Sequence, residues 1–205
     1  RDSGYRVAVG VSAMGNMTDD LIALANEDPA IMLVQPDSKF KSVKDVLDAA
    51  KAAPGTVKFG STAKPNFYLL ALELNQKVKF SQIPYNGAAE AIPALMGGHV
   101  EFSMVNPGEA ISQITSGQLK PLGVCSDKRM AGLPDVPTMT ELGYPIVTGT
   151  WRGLAVPKGT PDAVKAVLGA AFEKAVAEPD FVAFMKGRTL GIRFMNAKDF
   201  KTFVD

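Results

Sequence analysis

The chain has one cysteine, one histidine and one tryptophan in 205 residues. A single cysteine cannot close an internal disulfide, and Cys125 with His99 cannot complete a four-ligand zinc shell, so no metal and no other cofactor is expected. Charge of one sign is equally scarce. Twenty-two Lys and Arg face 21 Asp and Glu, a formal net charge of +1, which excludes the broad positive field that draws in nucleic acid or anionic membrane. Long hydrophobic runs are absent too: AIMLV at 30–34 falls far short of the roughly 20 residues of a spanning helix. The opening RDSGY lacks the basic, apolar and small-residue order of a secretory leader, so a leader was removed or the chain starts internally.

What is present is enough apolar material, 46% of residues, to bury the core of one or two compact domains. YRVAV at 5–9 alternates like a strand and runs into Gly10. AIMLV at 30–34, stopped by Pro36, suits a strand buried on both faces. Ser42, with Asp45 three positions on, resembles a capping box opening a helix that Pro54-Gly55 ends.

The cycle then repeats. Val57-Lys58-Phe59 leads through a loop at 60–64 into a helix from about Pro65, with Phe67, Leu70, Ala71 and Leu74 at helical spacing. Further strands are expected at 80–83, 100–104 and 122–124, with helices at 88–95 and from Pro107 to Thr115, and the alternation implies a parallel sheet. Beyond Lys128 comes a proline-rich connector, LPDVPT, with a short helix through Glu141-Leu142 and then a strand at 151–156. Thr160-Pro161-Asp162 reads as a helix start with a hydroxyl cap, its apolar side formed by Val164, Val167, Leu168, Ala171, Phe172 and Val176. Pro179-Asp180 starts a further helix, and Asn196 caps a last one. Two apolar strands ending in proline, at 33–36 and 154–157, look like paired crossovers between lobes. A ligand would then sit beyond the carboxyl ends of the strands, where helix starts converge.

Each candidate residue has a functional and a structural reading. In the loop at 60–66, glycine admits close backbone approach, Ser61 and Thr62 carry hydroxyls, and the helix start offers free N–H groups; the same residues also serve simply as caps. Lys64 either brings a positive charge to the ligand or is solvated. Tyr85 stacks on or hydrogen-bonds a ligand, or packs a turn between Pro84 and Gly87. Asn106 makes amide contacts or caps the helix that Pro107 begins. Trp151 is exposed in a cleft or belongs to the core, and His99 after Gly97-Gly98 reads as a surface turn residue.

Ser61-Thr62-Ala63-Lys64 also spells S-x-x-K, the nucleophile motif of penicillin-binding enzymes. Ser126-Asp127-Lys128 only partly echoes S-D-N, and no K-T-G follows. A βα loop is not the helical start that such a serine needs, and with one histidine no Ser-His-Asp arrangement is credible.

Several segments in order carry a resemblance: SGYRVAVG at 3–10, FGSTAKPN at 59–66, IPYNGAAEAIPALMGGHVEF at 83–102, LPDVPTMTELGYP at 133–145 and WRGLAVPKGTP at 151–161. Together they resemble the Bug family of extracytoplasmic solute receptors, the binding component of tripartite tricarboxylate transporters. The resemblance implies an α/β, two-lobed periplasmic-binding-protein type II fold. Its first lobe (1–34 and 126–205) is expected to be incomplete, lacking the family's N-terminal β-loop-α unit, and its second (35–125) complete. It implies a periplasmic, monomeric, non-enzymatic protein that captures a small organic acid or acidic amino acid and delivers it to a membrane permease.

By position, the resemblance assigns ligand contacts to Ser12, Ala13, Ser61, Thr62, Ala63, Lys64, Asn66, Tyr85, Asn86, Gly87 and Asn106, with Trp151 walling the cleft. In that reading the acid bridges the lobes and shifts the population towards a closed form, held by main-chain donors at helix starts and not by an arginine fork. The alternative is a chain that no longer transports: a ligand sensor, an interaction module or a folded remnant.

Overall fold

A computed structural model of the chain describes residues 19–187 and 190–204. The strand expected at 5–9, and Ser12 and Ala13, lie outside the described residues. In chain order the elements begin with β1 (Asp19–Pro29), β2 (Ile31–Val34), α1 (Val43–Ala52), β3 (Lys58–Ser61), α2 (Phe67–Gln76), β4 (Ser81–Pro84) and α3 (Ala88–Met96). They continue with β5 (Phe102–Val105), α4 (Pro107–Thr115), β6 (Lys120–Val124), β7 (Gly149–Pro157), α5 (Asp162–Ala177), α6 (Pro179–Gly187), β8 (Met195–Asn196) and α7 (Ala197–Val204).

Two compact units divide the chain: a central one, Pro29–Gly149, and a flanking one, Arg1–Asp28 with Thr150–Asp205. These boundaries differ from the expected 34/35 and 125/126. The reason is β2, which does not merely cross over: it pairs antiparallel with both β5 and β6 inside the central sheet. The stretch after β6 stays with it, because Thr148 N donates to Cys125 O at 3.0 Å and Ala30 N donates to Thr148 O at 3.0 Å.

The central sheet has the order β4-β3-β5-β2-β6. β3 is parallel to both β4 and β5, so the expected parallel set is there, but β2 makes the sheet mixed. Strand pleating sends alternate residues to opposite faces: Met32 and Val34 join one core cluster, with α1 and α2, while Ile31 and Leu33 join the other, with α3 and α4. β4 and β5 lie on opposite sides of β3, and right-handed crossovers therefore place α2 and α3 on opposite faces. On the α2 face Phe59 and Phe80 each pack tilted or edge-on against Phe102, with centroids 5.0 and 4.9 Å away.

Local chemistry starts these helices. Ser42 Oγ accepts from Asp45 N at 3.2 Å, and Asp45 Oδ2 accepts from Ser42 N at 3.0 Å, the expected reciprocal box. Lys41 N also donates to Asp45, the largest of the effects holding that carboxyl below its ordinary value. α2 departs from expectation in phase: Leu69 and Leu72 are buried, while Phe67, Leu70 and Leu74 point outward. Residues 138–143 form a turn and not a helix, closed by Gly143 at φ 87° with Tyr144 N donating to Met139 O at 2.8 Å.

The flanking unit holds a three-stranded sheet in the order β7-β1-β8. β1 was not expected, since Asn26-Glu27-Asp28-Pro29 ends it with polar residues and a proline, against the usual strand signals. Asn196 Oδ1 accepts from Asp199 N at 3.0 Å, the cap expected for α7. α5 starts differently: Pro161 is its N-cap without a side-chain bond, and Thr160 Oγ1 instead donates back to Pro157 O at 2.7 Å.

Candidate functional site

The parallel strands β3, β4 and β5 end side by side, so the loops at 61–66, 85–87 and 106 lie along one edge of the central sheet. Each strand feeds a helix, and the starts of α2, α3 and α4 therefore gather there. The first N–H groups of a helix have no partner within it and carry a partial positive charge. Adjacent β3 and β5 send their chains to opposite faces, α2 to one and α4 to the other, which opens a crevice between their ends.

One hydrogen bond spans that crevice. Tyr68 Oη, on the first turn of α2, donates to Asn106 Oδ1, at the N-cap of α4, at 2.9 Å. Sequence reasoning missed Tyr68, because its partner lies 38 residues away and local sequence carries no signal of that pairing.

Beside it, the loop after β3 is built by its own side chains. Ser61 is fully buried; its Oγ donates to Ala63 O at 2.6 Å and accepts from Gln82 Nε2 at 2.8 Å. Asn66 is buried as well, and its Oδ1 accepts from Leu69 N at 2.9 Å, capping α2. These two residues shape the loop. Thr62 is half-buried, while Ala63 and Lys64 are exposed at its tip. Tyr85 N donates to Ser61 O at 2.8 Å, which ties the neighbouring loop to this one, and the Tyr85 ring is half-buried against the α3 face of the core.

Gly87 has φ 118° and ψ −178°, a conformation that essentially only glycine adopts, and it serves as the N-cap of α3. Asn86 is engaged by the chain itself: its N donates to Glu90 Oε2 at 3.0 Å and its Nδ2 to Glu90 Oε1 at 3.2 Å. Those bonds, the backbone one first, hold the Glu90 carboxyl below its ordinary range. At α4, Asn106 N donates to Glu109 Oε2 at 2.9 Å. The starts of α3 and α4 thus each carry a carboxylate of the chain, whereas the first turn of α2 has none.

Farther along the edge, Cys125 is fully buried, and burial pushes its thiol up to about 12. Trp151 lies in the flanking unit, half-buried, its ring edge-on to Phe200 with centroids 5.0 Å apart. His99 is exposed after Gly98, as expected of a surface turn. Among the described residues no group of His, Cys, Asp and Glu could hold a metal ion, and no helix is long and apolar enough to cross a membrane. The S-x-x-K serine donates its proton to a main-chain carbonyl in a buried turn, which is not the geometry of a nucleophile.

The family model for the tripartite tricarboxylate transporter family receptor, TctC, matches residues 15–205. The chain belongs to this receptor family. A UPF0065 protein in the gbd 5' region of Cupriavidus necator is 34% identical over 175 residues, covering 84% of this chain and 53% of that protein. Protein BugT of Bordetella pertussis is 33% identical over 168 residues, covering 77% and 52%. The chain therefore spans about half the length of these curated relatives. Among solved structures, a TctC solute-binding protein from Polaromonas superposes with a TM-score of 0.84 at 32% identity, over 97% of this chain and 72% of that one. MatC from Rhodopseudomonas palustris, solved with bound malate, superposes with a TM-score of 0.68 at 25% identity, over 84% and 60%. The Bug-type resemblance and the periplasmic-binding-protein α/β fold are thereby established, and the family is one of receptors and not of enzymes.

Proposed function

We propose that the chain captures a small organic carboxylate at the carboxyl edge of its central sheet, in the periplasm and as a monomer, for delivery to the permease of a tripartite tricarboxylate-type transporter. The observation that carries this reading is the meeting of three strand ends and three helix starts on one edge, around the crevice between β3 and β5. Membership of the receptor family supports it, and so does the malate bound to MatC.

In this reading the carboxylate lies at the start of α2. Main-chain N–H groups of the 62–64 loop and of the first helical turn donate to it, and Lys64 adds a full charge. Ser61 and Asn66 hold that loop in shape from beneath. Tyr85 and Gly87 flank the ligand from the β4 side and Asn106 from the β5 side, while Asn86 acts through Glu90 to fix the α3 start. The α3 and α4 starts already hold Glu90 and Glu109, so an anion is repelled there and directed to α2.

A thermal-shift titration of the whole chain with a panel of small organic acids and their primary amides tests this. At least one acid raises the melting temperature progressively with concentration, as preferential binding to the native state requires, while its amide does not. The reading fails if no acid shifts the transition, or if acids and amides act alike.

A further inference from the structure

Ser61 has a single hydroxyl hydrogen, and where it goes decides which side of the loop's main chain faces outward. Resting on the carboxylate site of the preceding reading, we infer that Gln82 is a positioning residue: through Ser61 it turns the carbonyl of Ala63 inward and the N–H of Lys64 out towards the acid. Gln82 stands opposite Phe59 in the parallel pairing of β4 with β3. Pleating puts Ser61, two residues on from Phe59, on that same face of the sheet, within reach of the long Gln82 side chain. Gln82 Nε2 donates to Ser61 Oγ at 2.8 Å. An amide nitrogen donates and does not accept, so the Ser61 hydrogen stays on the Ala63 carbonyl, 2.6 Å away.

A trans peptide points its C=O and its N–H in opposite directions, and the Ala63–Lys64 peptide is trans. Ser61 is fully buried, whereas Ala63 and Lys64 are exposed. With the Ala63 oxygen drawn down to Ser61, the Lys64 N–H is turned to the open side of the loop. Among the described residues no acceptor takes this N–H, nor those of Thr62 and Ala63. The opposite orientation of the same peptide would set the negative end of its dipole against the anion. The bond from Gln82 thus decides whether the loop presents a donor or an acceptor to the ligand, although Gln82 itself touches no part of the acid.

Malate, adipate and acetate, carboxylates with different bodies, test this in nuclear magnetic resonance titrations of the isotope-labelled whole chain. An acid that binds moves the Lys64 amide proton downfield, as a charge-assisted hydrogen bond requires. Gln82→Met keeps the length of this exposed side chain and removes its donor. The variant binds the acid about fivefold more weakly. Even at saturation its Lys64 movement is smaller, which a mere loss of stability would not bring about. An acid that binds the unaltered chain without moving Lys64 overturns the inference and leaves carboxylate capture standing. So does a Gln82→Met variant with unchanged affinity or an undiminished Lys64 movement. If none of the three acids binds, the inference falls together with the function.

Discussion

The two units use apolar residues differently. In the central unit every strand of β3, β5 and β2 has helices on both sides, and alternate residues disappear into one cluster or the other. The flanking unit has a three-stranded sheet whose cluster buries Ala23 and Val156, with Leu154, Leu168, Phe172 and Phe194 only partly covered. On α5 the apolar side expected from helical spacing is covered unevenly: Val176 is buried, Val164, Leu168 and Phe172 are half-buried, and Val167 is 69% exposed. An apolar stripe becomes a core only where another layer lies against it, and the number of apolar residues in a helix does not supply that layer.

This contrast is sharpest at Phe102, which is fully buried between two other rings in the central unit. Phe102→Ala is expected to cost about 3–5 kcal/mol in denaturant unfolding, from lost burial and the cavity left behind. A cost below about 1 kcal/mol would mean that the central core is no tighter than the flanking one.

The flanking unit is packed as tightly at Gly153. A Cβ on Gly153 would lie 2.7 Å from the Phe200 ring and 2.8 Å from Ala23 O. Gly153→Ala therefore destabilises by about 1–3 kcal/mol, with hydrogen exchange rising in residues 150–157 and 197–204 first. An unchanged exchange pattern would remove that contact from the account.

Acid acts on named carboxylates in both units. In the central unit Asp45, Glu90 and Glu141 are held below their ordinary values chiefly by main-chain N–H donors, and Glu101 by Lys39 and Lys58 against the opposing effect of burial. In the flanking unit Asp162 is held down by Lys165, and buried Asp28 faces Arg152 at 3.8 Å. A lowered native value means that folding favours the charged form, so this stability is complete above the unfolded-state values, 4.5 for Glu and 3.8 for Asp, and is lost as pH falls through the native ones. Hydrogen exchange between about pH 5 and pH 3 should show residues 41–45, 86–90 and 138–141 losing protection before the buried strands of the central sheet do. Unchanged protection in those three segments would contradict the assignment. Smallest of all, Val167→Ser should change stability by less than about 0.5 kcal/mol, since the side chain is already in water.

Much of the central unit was legible from residue order. Ser42 with Asp45, Asn106-Pro107, and short apolar runs separated by Gly-rich loops each specify a local structure by local chemistry. The candidate loops were legible for the same reason, as they follow the strands directly. Less was readable where local signals conflict or fall silent. α2 carries Phe67, Leu69, Leu70, Ala71, Leu72 and Leu74, so apolar residues occur all around it and periodicity cannot choose the buried face. β2 has the composition of a buried strand, but its antiparallel direction depends on where the chain re-enters the sheet. The roles of Tyr68 and Glu90 required knowing which loops become neighbours, and a pairing across 38 residues, Tyr68 with Asn106, leaves no mark in local sequence.

Hydrogen exchange of the whole chain, with and without a saturating acid identified by thermal shift, tests the central claim most directly. Binding at the carboxyl edge predicts slowed exchange at 61–68, with smaller effects at 85–90 and 106–109, while the opposite edge at 53–58 and 77–81 is unchanged. Slowed exchange at that opposite edge, with none at 61–68, would contradict it.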